Sequence, residues 1–197
     1  MPSTVTDQIA ERVRRLRSAR GLTLEALANA SGVSRSAISL IERAETSPTA
    51  VVLERLATGL GVPLAALFER SEATASPHAR RADQVEWTDS VSGYTRRNVS
   101  PNGGGVPFRI VEVSFPAGAH VAFESGGLGG GVHQQIWVLE GAVTVTVGMD
   151  RYALEAGDCL AMRLDQPIAF ENPARVRARY AVVLADVAEL RRSRGGE

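Results

Sequence analysis

The chain of 197 residues contains no lysine and one cysteine, and its formal net charge is zero. With Cys159 alone, the chain cannot form an internal disulfide, which is compatible with a reducing compartment. The balanced charge gives no overall attraction for nucleic acid, so only a local excess of positive charge could indicate such a partner. The first 68 residues carry a small excess of arginine over acidic side chains, which permits DNA binding without proving it.

Long apolar runs are also missing. No apolar signal core follows Met1, and no run approaches the roughly 18 apolar residues needed to cross a bilayer. We therefore expect a cytoplasmic protein with no membrane partner.

The period of the apolar residues changes from helical to alternating near residue 69, which predicts two domains. Residues 1–68 predict five helices, the last of them short and opened by Pro63. Residues 69–83 are polar, lack a period and are interpreted as a linker. Residues 84–197 predict an antiparallel β domain. Its clearest expected strands are Phe108–Phe115, Gln135–Glu140, Val143–Val147, Cys159–Met162 and Arg177–Ala185, and the tail Asp186–Arg194 could add one or two helical turns.

A helix-turn-helix is predicted between Gly21 and Arg43. Ala28 is small enough for two helices to cross closely, and Gly32 permits the positive φ that the turn requires. Ser34 caps the second helix, as Thr23 caps the first. The N-terminal amides of this second helix then face outward, where they can bind a phosphate.

These residues resemble the XRE/Cro family of phage-repressor-like helix-turn-helix domains. The resemblance is carried by Leu22-Thr23, Leu27-Ala28, Gly32-Val33-Ser34, Ile41-Glu42-Arg43 and Ser47-Pro48-Thr49. It departs from the family at Leu24, where glutamine is frequent, and at Ala44, where glycine is usual.

The resemblance implies a transcription regulator, such as a repressor, that binds double-stranded operator DNA as a homodimer. It places Arg35, Ser36 and Ser39 at base edges, and it places Thr23, Ser34, Arg43 and Thr49 near phosphates. The alternative is that the hydroxyl side chains are only helix caps and that Arg35 is only a solvated charge.

The second domain resembles the cupin superfamily, an antiparallel β-barrel also described as a double-stranded β-helix. The motifs are Pro116-Ala117-Gly118, the stretch Trp137–Gly141, the stretch Leu154–Asp158 and Asn172-Pro173. Together with the first domain, they resemble XRE–cupin regulators, in which the cupin domain is thought to dimerise and to sense small molecules.

Many cupins bind a divalent metal through two histidines, a glutamate and a later histidine. In this chain those positions fall at about Leu128 and Gly130, at Gln134 and at Ile168, and none of these side chains is a good ligand for a transition metal. We therefore expect no metal, no other cofactor and no catalytic residue. A displaced metal site built from His120, Glu124 and His133 is the less favoured alternative.

A small-molecule effector is the expected occupant of the barrel, since aromatic walls with a few polar groups suit such ligands. The candidate binding residues are His133, Gln135, Trp137, Met162, Arg163, Phe170 and Tyr180. Gln135, Trp137, Met162, Phe170 and Tyr180 are expected to face inward, although several of them could be ordinary core. Cys159 is expected to be buried as a small apolar side chain. The glycine-rich segment 126–131 is interpreted either as a loop covering the barrel mouth or as a disordered turn.

The sequence therefore predicts a dimeric, sequence-specific DNA-binding regulator with a metal-free cupin sensor. One alternative is a metal-dependent cupin enzyme fused to a DNA-binding domain. Another is a regulator whose cupin domain only dimerises.

Overall fold

The computed structural model describes residues 4–69, 76–101, 108–124 and 132–186. Within these ranges no helix is both long enough and apolar enough to span a membrane. The predicted C-terminal helical turns and the glycine-rich segment 126–131 lie outside the described residues.

Four α-helices form the first part of the chain: α1 (Val5–Ala19), α2 (Leu24–Ser31), α3 (Arg35–Glu42) and α4 (Ala50–Gly59). The predicted caps are confirmed, because the hydroxyls of Thr23, Ser34 and Thr49 accept hydrogen bonds from the first turns of α2, α3 and α4. Gly32 ends α2 with a φ of +67°, in the left-handed region that favours glycine.

The expectation of five helices is wrong in one respect. Leu64–Phe68 forms a 3-10 helix rather than a fifth α-helix. Pro63, which precedes it, contributes no side-chain cap, and five residues are too few to complete a second α-helical turn. The apolar side chains of this 3-10 helix still pack into the core, since Leu67 and Phe68 are buried.

The helices pack around a core drawn from all four of them. Helices α2 and α4 approach closely at Gly59, where a Cβ atom would lie 2.8 Å from the Cβ of Ser31. An ion pair ties α1 to α3, because Arg17 donates from Nε and Nη2 to the two carboxylate oxygens of Glu42 at 2.6 and 2.8 Å. The fully buried core side chains of this part include Ile9, Val13, Leu27, Ile38, Leu53, Leu56 and Leu60.

Ten strands follow. They are β1 (Glu86–Thr88), β2 (Thr95–Asn98), β3 (Phe108–Phe115), β4 (His120–Phe123), β5 (Val132–Glu140), β6 (Ala142–Val147), β7 (Asp150–Glu155), β8 (Cys159–Arg163), β9 (Ile168–Glu171) and β10 (Ala178–Asp186). The five predicted strands are all present, and the other five were not predicted individually.

The strands form two antiparallel sheets, one of six strands in the order β1-β2-β3-β10-β5-β8 and one of four in the order β4-β9-β6-β7. The sheets face each other, since Phe170 of β9 stacks on Tyr180 of β10 with ring centroids 5.9 Å apart. Among the described strands no hydrogen-bonded ladder joins the two sheets into the continuous barrel that was expected.

The helical and β parts share one apolar core. A chain of ring contacts leads from Phe68 to Trp87, then to Tyr94 and Phe115, with centroid distances of 5.8, 5.8 and 6.2 Å. This chain runs from the last turn of the helical domain into the interior of the β domain. Core packing is therefore continuous across the predicted linker.

Polar contacts reinforce the same junction. Asp89 is 3% exposed. Its Oδ1 accepts a hydrogen bond of 2.9 Å from the backbone N–H of Ala50, the first residue of α4. On the other side, Glu69 lies between two arginines, Arg12 of α1 and Arg109 of β3, at 2.7 and 3.2 Å.

Candidate functional site

The first candidate site is the outer face of α3. Arg35 and Ser36 are exposed at its N-terminus, and Ser39 is half-buried one turn later. Ser34 precedes them, and its hydroxyl accepts from the N–H of Ala37 at 3.2 Å. The structure thus brings the three predicted base readers to one accessible helix face, with the positive end of the helix dipole beside them.

Each of the predicted phosphate-contacting residues already has a structural partner. Thr23 and Thr49 use their hydroxyls as caps. Arg43 pairs with Glu45 at 2.6 Å and also donates to the hydroxyl of Ser39. The hydrogen bond from Arg43 lowers the pKa of the Glu45 carboxyl. To bind a phosphate, Arg43 would have to break its exposed ion pair with Glu45.

The sequence interpretation did not single out Leu40. This side chain is 38% exposed on α3, while Ile38 and Ile41 fill the core. A helical wheel of α3 would have shown that Leu40 lies away from the buried stripe.

The second candidate site is a cavity between the two sheets. Its volume is about 100 Å³, and its mouth is open to solvent. Most of its wall is aliphatic or aromatic. The residues contributed by the sheets and their connections are Tyr94, Arg96, Val111, Val113, Phe115, Val121, Phe123, Gln134, Leu164, Ile168, Phe170, Tyr180, Val182 and Leu184.

The helical domain supplies the rest of the cavity wall. Glu54, Ala57 and Thr58 of α4 line it, and so does the segment 62–64. This arrangement was not predicted, because the spacing of apolar residues in α4 does not show whether a helix face packs on its own domain or on another one.

Arg96 is the polar centre of the cavity and was also missed. It is 7% exposed, and its guanidinium lies 4.8 Å from the centre of the Phe68 ring. Burial lowers the pKa of Arg96. Burial also raises the pKa of Tyr94 to about 12, and it raises that of Tyr180 further. Both tyrosines therefore remain protonated hydrogen-bond donors at neutral pH.

The predicted ligand-binding residues fall into three groups. Phe170 and Tyr180 line the cavity, as expected. His133, Gln135 and Trp137 lie on the outer face of β5 and are exposed, so the expectation that Gln135 and Trp137 face inward is wrong.

The inward residues of β5 are instead Val132, Gln134, Ile136 and Val138. The strand begins three residues before the expected start, and its alternation places Gln134 inside. The third group is Met162 and Arg163, which line a separate pocket. Met162 is buried and pairs with the inward Gln134, so it faces inward as expected, whereas Arg163 pairs with the outward His133 and is exposed.

Cys159 is exposed, which contradicts the expected burial. It pairs with Trp137 across the β5–β8 ladder, and both side chains therefore lie on the same outer face.

The residues at the cupin metal positions do not fit a metal. Ile168 is buried and apolar, Gln134 offers a neutral amide, and the positions at 128 and 130 lie outside the described residues. Of the displaced alternative, Glu124 is paired with Arg55 at 3.1 Å, and His120 and His133 are exposed. No group of three or more His, Cys, Asp and Glu side chains converges within the described ranges.

The structure thus joins an exposed, capped helix of a helix-turn-helix to two facing antiparallel sheets. The chain contains a helix-turn-helix domain and is similar over most of its length to helix-turn-helix transcriptional regulators. The helix-turn-helix domain family matches residues 8–70.

Three similar proteins span one or both domains. The chain is 27% identical to the HTH-type transcriptional regulator PuuR of Escherichia coli K12 over 166 residues, which cover 82% of this chain and 86% of PuuR. The crystal structure of an HTH_3 family transcriptional regulator from Vibrio cholerae covers 91% of this chain and 96% of its own, with a TM-score of 0.72 and 26% identity. The cupin domain of an XRE family transcriptional regulator from Enterobacter cloacae covers 47% of this chain and 95% of its own, with a TM-score of 0.43 and 15% identity.

Proposed function

We propose that this protein is a homodimeric, sequence-specific regulator whose cupin domain binds a small-molecule effector without a metal. The observation that carries the proposal is the shared cavity, whose wall is built by the β domain and by α4 of the DNA-binding domain. An occupant of this cavity touches both domains, so its binding free energy can differ between two domain arrangements. Such a difference is what regulation by a ligand requires.

The proposed domains are residues 1–68 and 84–197, joined by the segment 69–83. In the first domain, Arg35, Ser36 and Ser39 read bases, while Thr23, Ser34, Arg43 and Thr49 position the helix on the phosphates. The exposure of the N-terminal turn of α3 supports this assignment, because that turn is the part of a recognition helix that reaches base edges.

Dimerisation is proposed because one such domain makes few base contacts. Two copies would bind a pseudo-palindromic operator with half-sites about 34 Å apart. The cupin domain is the proposed dimerisation module, and Trp137 offers it an apolar surface that is 51% exposed. The proposed location of such a regulator is the cytoplasm.

Metal-independent binding is supported by the apolar Ile168 at a metal-ligand position and by the apolar wall around it. The proposed role is sensing rather than catalysis.

Selection of bound sequences from a random DNA pool, with the full-length protein, tests the DNA-binding proposal. We expect a palindromic site. We also expect that Arg35→Ala relaxes the preference at one base pair per half-site, because a bidentate arginine–guanine contact discriminates by about 1–3 kcal/mol. Arg151→Ala is the matched control, since Arg151 is an exposed arginine of the β domain. A single, non-repeated site would contradict the dimer, and an unchanged preference in Arg35→Ala would contradict the assigned reader.

A further inference from the structure

The guanidinium of Arg96 has an unpaired edge inside the shared cavity. Its Nε and Nη2 atoms are buried and have no hydrogen-bond partner among the residues that the structure describes, although Arg96 lines the cavity wall. Buried N–H groups of this kind are costly unless something accepts from them. The remaining contacts of Arg96 are with the ring of Phe68 and the hydroxyl of Tyr94.

Elsewhere in this protein the same two atoms bind a carboxylate. Arg17 donates from Nε and Nη2 to the two oxygens of Glu42 at 2.6 and 2.8 Å. Arg43 uses the same pair of atoms on Glu45 at 2.6 and 3.1 Å. The free edge of Arg96 therefore has the atoms and the spacing for a bidentate carboxylate.

Among the described residues, no carboxylate accepts a hydrogen bond from these two atoms of Arg96. Within the described part of the cavity wall the acidic side chain is Glu54, which belongs to α4 and accepts a hydrogen bond of 3.1 Å from Thr58. Arg96 interacts instead with the neutral hydroxyls of Tyr94 and Tyr180.

We infer that the cavity binds an organic monocarboxylate with a compact apolar body, whose two oxygens accept from Nε and Nη2 of Arg96. One guanidinium balances one negative charge, whereas a phosphate dianion or a dicarboxylate would leave a second charge against an apolar wall. Val111, Val113 and Phe170 are among the wall residues that would contact the body of the ligand. An amine would lie beside a buried cation and is disfavoured.

This inference rests on the proposed function, because it names the effector class of the same cavity. Val62, Pro63 and Leu64, which follow α4, line the same cavity as Arg96. Occupancy would therefore act directly on the helical domain.

Calorimetric titration of the full-length protein with matched ligands tests the inference. The probes are benzoate and hexanoate, their neutral amides benzamide and hexanamide, and hexylamine. We expect a carboxylate to bind at least about tenfold more tightly than its amide, since hydrogen bonds to charged groups are worth about twice those between neutral groups. Equal affinity for the amide, preference for the amine, or no binding of either carboxylate would overturn the inference.

Variants locate the site. Arg96→Gln should weaken carboxylate binding by about tenfold to a hundredfold, and the exposed Arg151→Gln should leave it unchanged. Because Arg96→Gln also changes the buried packing against Phe68, Val182→Phe provides a second test, which fills the cavity without altering the guanidinium. Wild-type binding in Val182→Phe would overturn the inference.

Operator affinity, measured by fluorescence anisotropy with and without the bound carboxylate, separates this inference from the proposed function. Arg35→Ala should lose operator discrimination and keep carboxylate binding. Selective carboxylate binding that leaves operator affinity unchanged would support the site and contradict the sensing role.

Discussion

The strongest single test of the junction between the domains is Asp89→Ala. The carboxylate of Asp89 accepts a hydrogen bond of 2.9 Å from Ala50 N–H at Oδ1, and bonds of 2.8 and 2.6 Å from the N–H and the hydroxyl of Ser92 at Oδ2. The substitution leaves the buried N–H of Ala50 without its partner, at a cost of about 1–3 kcal/mol. Loss of the Ser92 contacts brings the expected destabilisation to about 2–4 kcal/mol.

Chemical denaturation of the full-length protein, followed by tryptophan fluorescence, measures this loss. Trp87 lies two residues before Asp89 and contacts Phe68 across the junction, so its emission reports the relevant region. In a chain of this size the loss corresponds to a fall in Tm of roughly 4–16 °C. Asp158→Ala is the matched control, because Asp158 also accepts from a backbone N–H, that of Glu155 at 2.8 Å, but in an exposed turn.

An Asp89→Ala variant that loses no more stability than Asp158→Ala would contradict this role of Asp89 at the junction.

The contribution of Asp89 to stability also depends on pH. Burial opposes its charge, but the hydrogen bonds from Ser92, Ala50 and Val91 outweigh burial and lower the pKa of Asp89. A carboxyl with a lowered folded-state pKa stabilises the protein above its unfolded pKa of about 4 and loses that contribution as the pH falls below it. The stability gap between wild type and Asp89→Ala should therefore narrow below about pH 4.

Two further predictions concern the helical domain. Arg17→Ala should destabilise the protein by about 2–4 kcal/mol, because it leaves the Glu42 carboxylate, only 7% exposed, without its bidentate partner. Urea denaturation measures this loss of stability, with Arg43→Ala as the exposed control. Equal losses of stability in the two variants would contradict the prediction. Gly59→Ala should cost about 1–3 kcal/mol through overpacking against Ser31. Ser31→Gly should restore only part of that loss, since backbone atoms of residue 31 also lie at 3.0 Å, and full rescue would show that the side chain alone sets the distance.

The helical domain was largely predictable because its determinants are local. Thr23, Ser34 and Thr49 act as caps through hydrogen bonds to residues three positions away, and Gly32 sets the turn by its own φ. Such signals are fully contained in short stretches of sequence.

The β domain was less predictable because its strand faces depend on register. In β5, the residues Gln134 and Gln135 are chemically identical, so only the partner strands decide which one is buried. The large aromatic side chain of Trp137 favoured an inward position, so Gln135 and Trp137 were predicted to face the interior, which is wrong. Arg96 was overlooked because arginine is rarely buried, and the ring of Phe68 that accommodates it lies in the other domain.

The ring contacts from Phe68 through Trp87 and Tyr94 to Phe115 have a consequence for how such regulators can be recombined. A chimera joining residues 1–68 to a foreign β domain would expose the Phe68 ring, which is now 3% exposed, and would remove the Asp89 partner of Ala50. The helical domain and the β domain of this protein are therefore not interchangeable. A stable chimera must keep Phe68 together with residues 87–96, or it must be given a new interface between the two domains.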